Sequence, residues 1–405
     1  MPSSGGVNSA TWAAVPDGSP FGRDVLPYGV FSPPGAGPRP GVRVGDHVLD
    51  LSGLSRDGLL GGFPAAAAAF ASPGLDVFMA AGPLAWRATR DRLAMLLADS
   101  AAGPAASAHL HPLEQVRMHL PFAVADYADF YASLDHATNL GRILRPGDEP
   151  LLPNWRHLPV GYHGRAGTVV VSGTDVARPR GQYLAEGGDR PGFGPSRRLD
   201  IELELGFVVG MPSRIGVPVA VEEALSHVFG VVLLNDWSAR DLQAWEYRPL
   251  GPFLGKSFAT TIGAWVTPLA ALESLRVAAP AQDPQPLLYL REEPWAFDLD
   301  LEVEFNGAVV AATSARHLYW TPAQMIAHLT ANGACLRTGD LIGSGTISGP
   351  ARGERGSLIE LTWNGTEPLV LPDGTSRTFL EDGDRVILRG TRLGEAAGRI
   401  VAAPS

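Results

Sequence analysis

Two acidic side chains, Glu202 and Glu204, stand two positions apart in the segment DIELE of this 405-residue chain. Side chains alternate between the two faces of a β-strand, so both carboxylates would share one face of a strand here. They would repel each other unless a positive charge lay between them, and Mg²⁺ and Ca²⁺ prefer oxygen ligands. A divalent cation site is one interpretation. The solvated face of an edge strand is the other, and the spacing alone favours it.

A second polar group follows the apolar run VFGVVLL, which is typical of a buried strand. If the next segment is helical, four residues recur at i, i+4, i+7 and i+11 and form one stripe. These residues are an acid, a cation, an amide and a phenol: Asp236, Arg240, Gln243 and Tyr247. The stripe fits either a site beside the strand end or an exposed face with an Asp–Arg pair. The spacing does not decide between them.

Lys256 is the only lysine among 32 basic residues. An ammonium is compact and concentrates its charge, so a single lysine in an arginine-rich chain suggests a site where guanidinium does not fit. Codon bias and chance are the alternative. Its neighbours Phe253, Leu254 and Phe258 argue against a freely solvated side chain. The surrounding PLGPFLGKSFATT lacks the glycine spacing of a phosphate-binding Walker loop.

His136 lies in the polar segment DYADFYASLDHATN, which contains no cysteine and no second histidine. Zinc-type ligand spacing is therefore absent, and a general-base role is favoured over a metal role. A structural role remains the alternative, since an isolated histidine is more often structural than catalytic.

The composition excludes several classes of function. The formal net charge of −10 removes the basic surface that binds phosphates, so we expect no nucleic-acid partner. No apolar run approaches a membrane span, and the first residues do not resemble a secretory signal. The single cysteine, Cys335, excludes an internal disulfide and is consistent with a reducing cytoplasm.

Many short strands separated by 48 glycines and 35 prolines predict a mainly β (α+β) protein. Helices are predicted at 81–97, with candidate core residues Leu84, Trp86, Leu93, Met95 and Leu96, at 221–226, and from Thr321–Pro322 to Leu329. Strands are predicted at 168–172, 201–209, 228–234, 298–305 and 385–388. We expect a disordered tail over 1–20 and a boundary near residue 120, which divides the chain into 21–120 and 121–405.

Five segments in order resemble the two-domain form of the fumarylacetoacetate hydrolase family over residues 21–400: DYADFYASLDHATN, NWRHLPVGYHGRA, LDIELELGF, NDWSARDLQAWEYRPLGPFLGKSF and SGTISGP. LPYGVF, near Tyr28, resembles the family's N-terminal domain. The acidic motif is shared across the superfamily, whereas DFY…HATN is more specific to the two-domain hydrolases. The resemblance implies an SH3-like N-terminal barrel, a β-roll catalytic domain and a homodimer.

The resemblance also implies roles for individual residues. Metal ligands would be Asp129, Glu202, Glu204 and Asp236. Substrate contacts would be Tyr131, Arg145, Tyr162, Gln243, Tyr247 and Thr346. His136 would be the general base, oriented by Glu360, and the oxyanion donors would be Arg240, Gln243 and Lys256. Lys256 and Thr260 would lie near a second cation, where Ala259 replaces the family's glycine and makes the backbone geometry uncertain.

The implied reaction is hydrolysis of the carbon–carbon bond of 4-fumarylacetoacetate to fumarate and acetoacetate, the last step of tyrosine and phenylalanine breakdown. The implied cofactor is Mg²⁺ or Ca²⁺, with Mn²⁺ also compatible, and it would stabilise the enolate leaving group. One alternative is a relative that hydrolyses, decarboxylates or tautomerises another β-diketo acid, such as an acylpyruvate. A cation-stabilised binding protein is the other, although a binder needs no general base.

Overall fold

The computed structural model of the protein describes residues 12–61, 68–185 and 187–404. Most of the tail predicted over residues 1–20 lies outside these ranges. Within the rest, Trp12 donates a hydrogen bond from Nε1 to the Leu96 carbonyl at 2.8 Å, and Ala13 is buried. Packed structure therefore begins inside the segment that was predicted to be disordered.

The described residues form short helices and many short strands. The α-helices are Leu51–Arg56, Asp76–Ala80, Pro83–Ala98, Gly103–Ala106, Leu134–Leu144, Arg240–Glu246, Leu269–Leu272, Pro322–Thr330 and Leu358–Leu361. The strands are β1 Tyr28–Ser32, β2 Arg39–Val44, β3 His47–Asp50, β4 Leu110–Pro112, β5 Arg117–His119, β6 Tyr127–Phe130, β7 Gly161–His163, β8 Val169–Val171, β9 Val176–Ala177, β10 Arg180–Leu184, β11 Pro191–Pro195, β12 Leu199–Asp200, β13 Leu203–Val209, β14 Val228–Asp236, β15 Ser238–Ala239, β16 Thr260–Ile262, β17 Trp265–Pro268, β18 Arg276–Ala278, β19 Trp295–Phe297, β20 Asp300–Phe305, β21 Ala308–Ser314, β22 Leu341–Gly343, β23 Leu369–Val370, β24 Ser376–Arg377, β25 Arg385–Gly390 and β26 Gly394–Val401.

The largest sheet has 13 strands and runs in the order β4-β3-β2-β1-β17-β14-β13-β22-β6-β7, with β5, β8 and β16 attached beside this path. The N-terminal strands join it where Tyr28 of β1 pairs with Val266 of β17. A second sheet of five strands runs β21-β20-β25-β26-β9. The mainly β prediction is confirmed, and the N-terminal strands are hydrogen-bonded directly to the sheet that holds the candidate site.

Strands β13 and β14 lie in the centre of the large sheet, and every residue of both is buried. They pair antiparallel from Leu203 opposite Asn235 to Val209 opposite Val228. Burial on both faces explains the continuous apolar run of β14, because neither face of that strand meets water. The ends of these strands consequently lie deep in the protein.

The predicted strands are confirmed with shifts of a few residues at their ends. The helix predicted from Thr321 is confirmed as Pro322–Thr330, and it begins with a capping box between Thr321 and Gln324. The helix predicted at 221–226 is wrong, because that segment forms turns and a short 3-10 helix, Ala224–His227. The described residues contain no helix long and apolar enough to cross a bilayer.

The helix predicted at 81–97 is confirmed as Pro83–Ala98, but two of its predicted core residues are wrong. Leu93 and Leu96 are buried, whereas Leu84 and Met95 are 83% and 58% exposed. Only one face of this helix packs against the rest of the protein, and apolar residues also occupy its outer face.

Candidate active site

Four carboxylates meet where β6, β13 and β14 come together. The ligand oxygens of Asp129, Glu202, Glu204 and Asp236 all lie within 4.8 Å of one another, and all four residues are buried. Gly343 of β22 links the strands, because it pairs with Asp129 on one side and Gly206 on the other. The alternative of a solvated edge strand for Glu202 and Glu204 is therefore wrong, since β13 is a central strand.

Burial and mutual repulsion act strongly on two of these carboxylates. Burial, reinforced by Asp236, raises the pKa of Asp129 well above its usual value, and burial together with Asp129 does the same to the pKa of Glu204. The Gly345 N–H donates to Asp129 at 3.2 Å and to Glu204 at 3.0 Å. Oε1 of Glu204 has no hydrogen-bond partner among the described residues. A buried oxygen of this kind, within an all-oxygen donor set, fits a hard divalent cation.

Lys256 lies beside this cluster and is 5% exposed. Its Nζ donates to Oε2 of Glu202 and, at 2.7 Å, to Oδ2 of Asp236. Burial alone would lower the pKa of Lys256, but Asp236 and Glu202 raise it above its usual value, so the ammonium stays charged. Burial has the opposite effect on a carboxylate and would raise the pKa of Glu202, but Lys256 and Arg240 lower this pKa to about 2.

The apolar surroundings expected for Lys256 are only partly present. Phe253 and Leu254 are 67% and 46% exposed, whereas the Tyr162 ring lies 5.9 Å from the Lys256 Nζ atom, measured to the ring centroid. The loop that carries Lys256 is held by Glu246, whose Oε1 accepts the N–H groups of Phe253 at 2.9 Å and Gly255 at 2.7 Å. A narrow cavity of about 90 Å³ lies beside Lys256.

His136 forms a buried pair with Glu360. The helix Leu134–Leu144 is capped by Ser133, whose side chain accepts the His136 N–H, and this places the imidazole in the first turn. Nδ1 of His136 lies 2.6 Å from Oε2 of Glu360. Burial would raise the pKa of Glu360, but His136 and the side-chain hydrogen bonds from Asn139 and Ser357 outweigh burial and lower it. Ser348 also donates to this carboxylate, at 2.9 Å. An ionised Glu360 can only accept a hydrogen bond, so the imidazole proton lies on Nδ1 and Nε2 is the basic nitrogen.

The four polar residues Asp236, Arg240, Gln243 and Tyr247 do not form one face of a single helix, which was the arrangement considered from their spacing. Asp236 ends strand β14, and the helix begins only at Arg240. Arg240 nevertheless points into the acidic site, where Nε donates to Oδ2 of Asp200 at 2.7 Å and Nη2 lies 2.8 Å from Oε1 of Glu202. Nη1 of Arg240 donates to Oε1 of Gln243 at 3.1 Å, so the helix delivers both side chains to one place.

The other residues implied by the resemblance lie at different distances from this centre. Tyr162 donates from its hydroxyl to Oδ2 of Asp236 at 2.6 Å, and the Tyr131 ring packs edge-on against His136 with centroids 5.3 Å apart. Burial raises the pKa of both phenols. Thr346 is buried and follows Gly345, which binds the acidic cluster. Tyr247 is half-buried at the end of its helix.

Two positions lie at the margins of the site. Arg145 ends the helix Leu134–Leu144 and donates to the Pro150 carbonyl at 2.8 Å, so it is not ion-paired to the acidic cluster. Thr260 donates from Oγ1 to Oδ1 of Asp236 at 3.2 Å. The backbone of Ala259 is outside the left-handed region, so alanine adds no strain there.

Several residues that shape the site were missed by the sequence reasoning. Asn139, Ser348 and Ser357 all donate to the Glu360 carboxylate, and Asp200 binds Arg240. Asn139 and Ser348 lie within the motifs already noted, so their positions offered a signal. Glu246 and Asp200 also lie within quoted motifs, but Ser357 lies outside all of them, and only the folded chain reveals the contacts of these three residues.

The comparisons with known proteins agree with this geometry. The family model described as Fumarylacetoacetate (FAA) hydrolase C-terminal matches residues 126–401, and the one described as Fumarylacetoacetase N-terminal matches residues 24–121. The chain belongs to the fumarylacetoacetase family. Among relatives, the fumarylacetoacetase of Arabidopsis thaliana is 46% identical over 401 residues, covering 94% of this chain and 95% of the relative. The fumarylacetoacetase of Homo sapiens is 45% identical over 413 residues, covering 96% of this chain and 98% of the relative.

Solved structures show that the fumarylacetoacetase fold extends to more distant proteins. A fumarylacetoacetate hydrolase from Exiguobacterium antarcticum superposes with a TM-score of 0.55 at 18% identity, covering 93% of this chain and 99% of the other. A maleylpyruvate hydrolase from a Sphingobium species superposes with a TM-score of 0.53 at 18% identity, covering 93% and 100%. At this identity the likeness concerns the fold alone.

Proposed function

We propose that the chain hydrolyses the carbon–carbon bond of 4-fumarylacetoacetate and releases fumarate and acetoacetate. The chain is a hydrolase of the fumarylacetoacetase family. The observation that carries the proposal is that the buried His136–Glu360 pair and the four-carboxylate cluster are held by one short segment of chain. In this segment the Gly345 N–H donates to Glu204 at 3.0 Å, and the Ser348 hydroxyl donates to Glu360 at 2.9 Å. A base and a cation site in one buried place suit the attack of water on a β-diketone.

In the proposed mechanism, Nε2 of His136 takes a proton from water while Glu360 holds the ring through Nδ1. The hydroxide oxygen bonds to the carbonyl carbon on the fumaryl side, and the carbonyl electron pair moves to its oxygen. When that pair returns, the carbon–carbon bond breaks and its electrons pass to the acetoacetate enolate. The enolate then takes a proton, so one water is consumed for each substrate.

The proposed oxyanion donors are Arg240, Gln243 and Lys256. Each preorganised donor of this kind is worth about 3 to 4 kcal/mol of transition-state stabilisation in other enzymes. Burial of Arg240 and Lys256 supports the role, because hydrogen bonds from fixed cations are stronger where water is excluded. The proposed substrate contacts are Tyr131, Arg145, Tyr162, Gln243, Tyr247 and Thr346, and the guanidinium of Arg145 would suit a terminal carboxylate of the substrate.

The proposed ligands of the catalytic cation are Asp129, Glu202, Glu204 and Asp236. A bound divalent cation would supply Lewis-acid stabilisation of the charge that develops on the diketone oxygens. Mg²⁺ and Ca²⁺ both suit four carboxylates, and Mn²⁺ is compatible. We also propose a second, structural cation near Lys256 and Thr260, supported by the hydrogen bond from Thr260 to Asp236.

The proposed assembly is a homodimer in the cytoplasm, with residues 21–120 as an N-terminal unit and residues 121–405 as the catalytic unit. The compartment is supported by the single free cysteine of the chain. The domain division is supported by the positions of the two family matches. Light scattering tests the dimer directly, because a monomer mass at all concentrations would exclude it.

Product analysis tests the proposed reaction. Purified protein with fumarylacetoacetate should give equal amounts of fumarate and acetoacetate by proton NMR. A parallel panel of acylpyruvates and other β-diketo acids tests the alternative that a related diketo acid is the substrate. If the protein turns over one of these acids but not fumarylacetoacetate, that acid is the substrate and the proposed reaction is wrong. No turnover of either would favour a binding protein.

A further inference from the structure

Asp200 is a fully buried carboxylate to which the proposed mechanism gives no role. It ends strand β12 and accepts four hydrogen bonds. Oδ1 accepts the backbone N–H groups of Ile201 and Leu358, both at 2.7 Å. Oδ2 accepts Nε of Arg240 at 2.7 Å and the N–H of Ile359 at 3.1 Å. Each carboxylate oxygen therefore receives two donors, which uses its full accepting capacity.

These four bonds join two parts of the site that are far apart in the sequence. Arg240 is a proposed oxyanion donor. Leu358 and Ile359 begin the single-turn helix Leu358–Leu361, whose third residue is Glu360. The first N–H groups of a helix have no acceptor within the helix, and Asp200 supplies one from a distant strand. The orientation of Glu360, and through it of His136, thus depends on the same carboxylate that fixes Arg240.

We propose that Asp200 is a positioning residue that holds Arg240 and the Glu360 helix in one fixed relation, so that base and oxyanion donors face the same carbonyl. The inference rests on the proposed function, since it assigns Asp200 to the assembly of that site. Misplacement of a reacting group by about 1 Å can cost about 10²-fold in rate, so a shared anchor has a measurable effect.

Replacement by asparagine tests this arrangement sharply. An amide has one accepting oxygen and one donating nitrogen, so in either orientation its NH₂ group would face two donors. Asp200→Asn must therefore disturb either Arg240 and Ile359 or Ile201 and Leu358. The matched control is Asp384→Asn. Asp384 is 4% exposed, accepts Nε of Arg377 at 3.2 Å and lies outside the site.

We expect Asp200→Asn to lower kcat by about 10²-fold with a much smaller change in KM, and Asp384→Asn to leave both constants unchanged. In a double-mutant cycle with Glu360→Gln, Asp200→Asn should lower kcat by a smaller factor in the Glu360→Gln background than in the wild type. Both substitutions act on the orientation of His136, so their effects should not add. Additive losses would overturn the proposal, as would wild-type kcat in Asp200→Asn.

The ¹⁵N spectrum of the His136 ring gives a readout that does not depend on turnover. In the wild type we expect a protonated Nδ1 and a free Nε2, and in Asp200→Asn a mixture of tautomers. A wild-type ring spectrum in the variant would contradict the proposal even if fumarylacetoacetate proved not to be the substrate. Asp200→Glu keeps the charge and both oxygens but displaces them. If Asp200→Asn does not fold, Asp200→Glu carries the same test, and wild-type kcat in it would count against the inference.

Discussion

Nδ1 of His136 lies 2.6 Å from Oε2 of Glu360, although 224 positions separate the two residues in the chain. Both side chains are buried, and Glu360 also accepts hydrogen bonds from Asn139, Ser348 and Ser357. A carboxylate held in this way cannot rotate freely, so it fixes the ring plane and the tautomer of its histidine. The pair has the arrangement of an oriented general base.

The first prediction concerns His136→Ala. Turnover should fall by about 10²- to 10⁴-fold, because the variant lacks the group that takes the proton from water. Cation affinity measured by calorimetry should remain unchanged, since His136 is not among the four clustered carboxylates. His109→Ala is the matched control, because His109 forms a similar pair with Asp57 at 2.8 Å in the N-terminal region. Wild-type turnover in His136→Ala would remove the base assignment.

The second prediction concerns the cation site. Glu204→Gln keeps the shape of the side chain but removes a charge from the cluster, and one of its oxygens has no protein partner among the described residues. Cation affinity should fall by at least about tenfold, with activity falling in parallel at limiting metal. Glu304→Gln on strand β20, where Glu304 pairs with Arg389, serves as the control. Unchanged affinity in Glu204→Gln would place the cation elsewhere.

The third prediction concerns Lys256→Arg. The Nζ atom fits between Glu202 and Asp236 in a space that admits little solvent, and a planar guanidinium is bulkier than an ammonium. We expect kcat to fall by about tenfold or more although the charge is retained. Arg399→Lys, at an exposed pair with Asp175, should have no effect. If kcat of Lys256→Arg equals that of the wild type, the single lysine reflects codon usage alone.

The fourth prediction concerns pH. Burial and neighbouring carboxylates raise the pKa of Asp129 and Glu204 in the metal-free protein, so both retain protons as the pH rises above their ordinary range. A cation must displace those protons, so its affinity should increase with pH and its binding should release protons. The pKa of Glu202 is about 2, so this residue is already ionised and releases none.

Calorimetry in two buffers with different ionisation enthalpies measures this proton release. The apparent binding enthalpy should differ between the buffers in the wild type, and the difference should be smaller in Glu204→Gln. A cation affinity independent of pH, with equal enthalpies in both buffers, would show that the two carboxylates are ionised before the cation binds.

The sequence was sufficient for the elements with strong local signals. The helix start at Thr321–Pro322 and the continuous apolar run of β14 depend on neighbouring residues, and both were predicted. Exposure was harder to predict, because Leu84 and Phe253 are apolar and yet lie on the surface. Periodicity indicates which residues could be buried but not which face meets another element.

The site required information from contacts between distant segments. The spacing of Glu202 and Glu204 alone favoured the solvated face of an edge strand, and only the central position of β13 makes them part of a buried cluster. The resemblance named the principal residues but not those that hold them. Asp200 and Glu246 act through bonds to backbone N–H groups, which leave no pattern in the sequence.

The most direct test is the steady-state loss of the diketone absorbance of fumarylacetoacetate, followed with EDTA-treated protein and with the same protein after addition of Mg²⁺ or Ca²⁺. We predict no loss after EDTA treatment, and recovery on addition of the cation with fumarate and acetoacetate as products. Absence of any loss with the cation restored would contradict the proposed reaction, and equal rates with and without the cation would contradict the role of the carboxylate cluster.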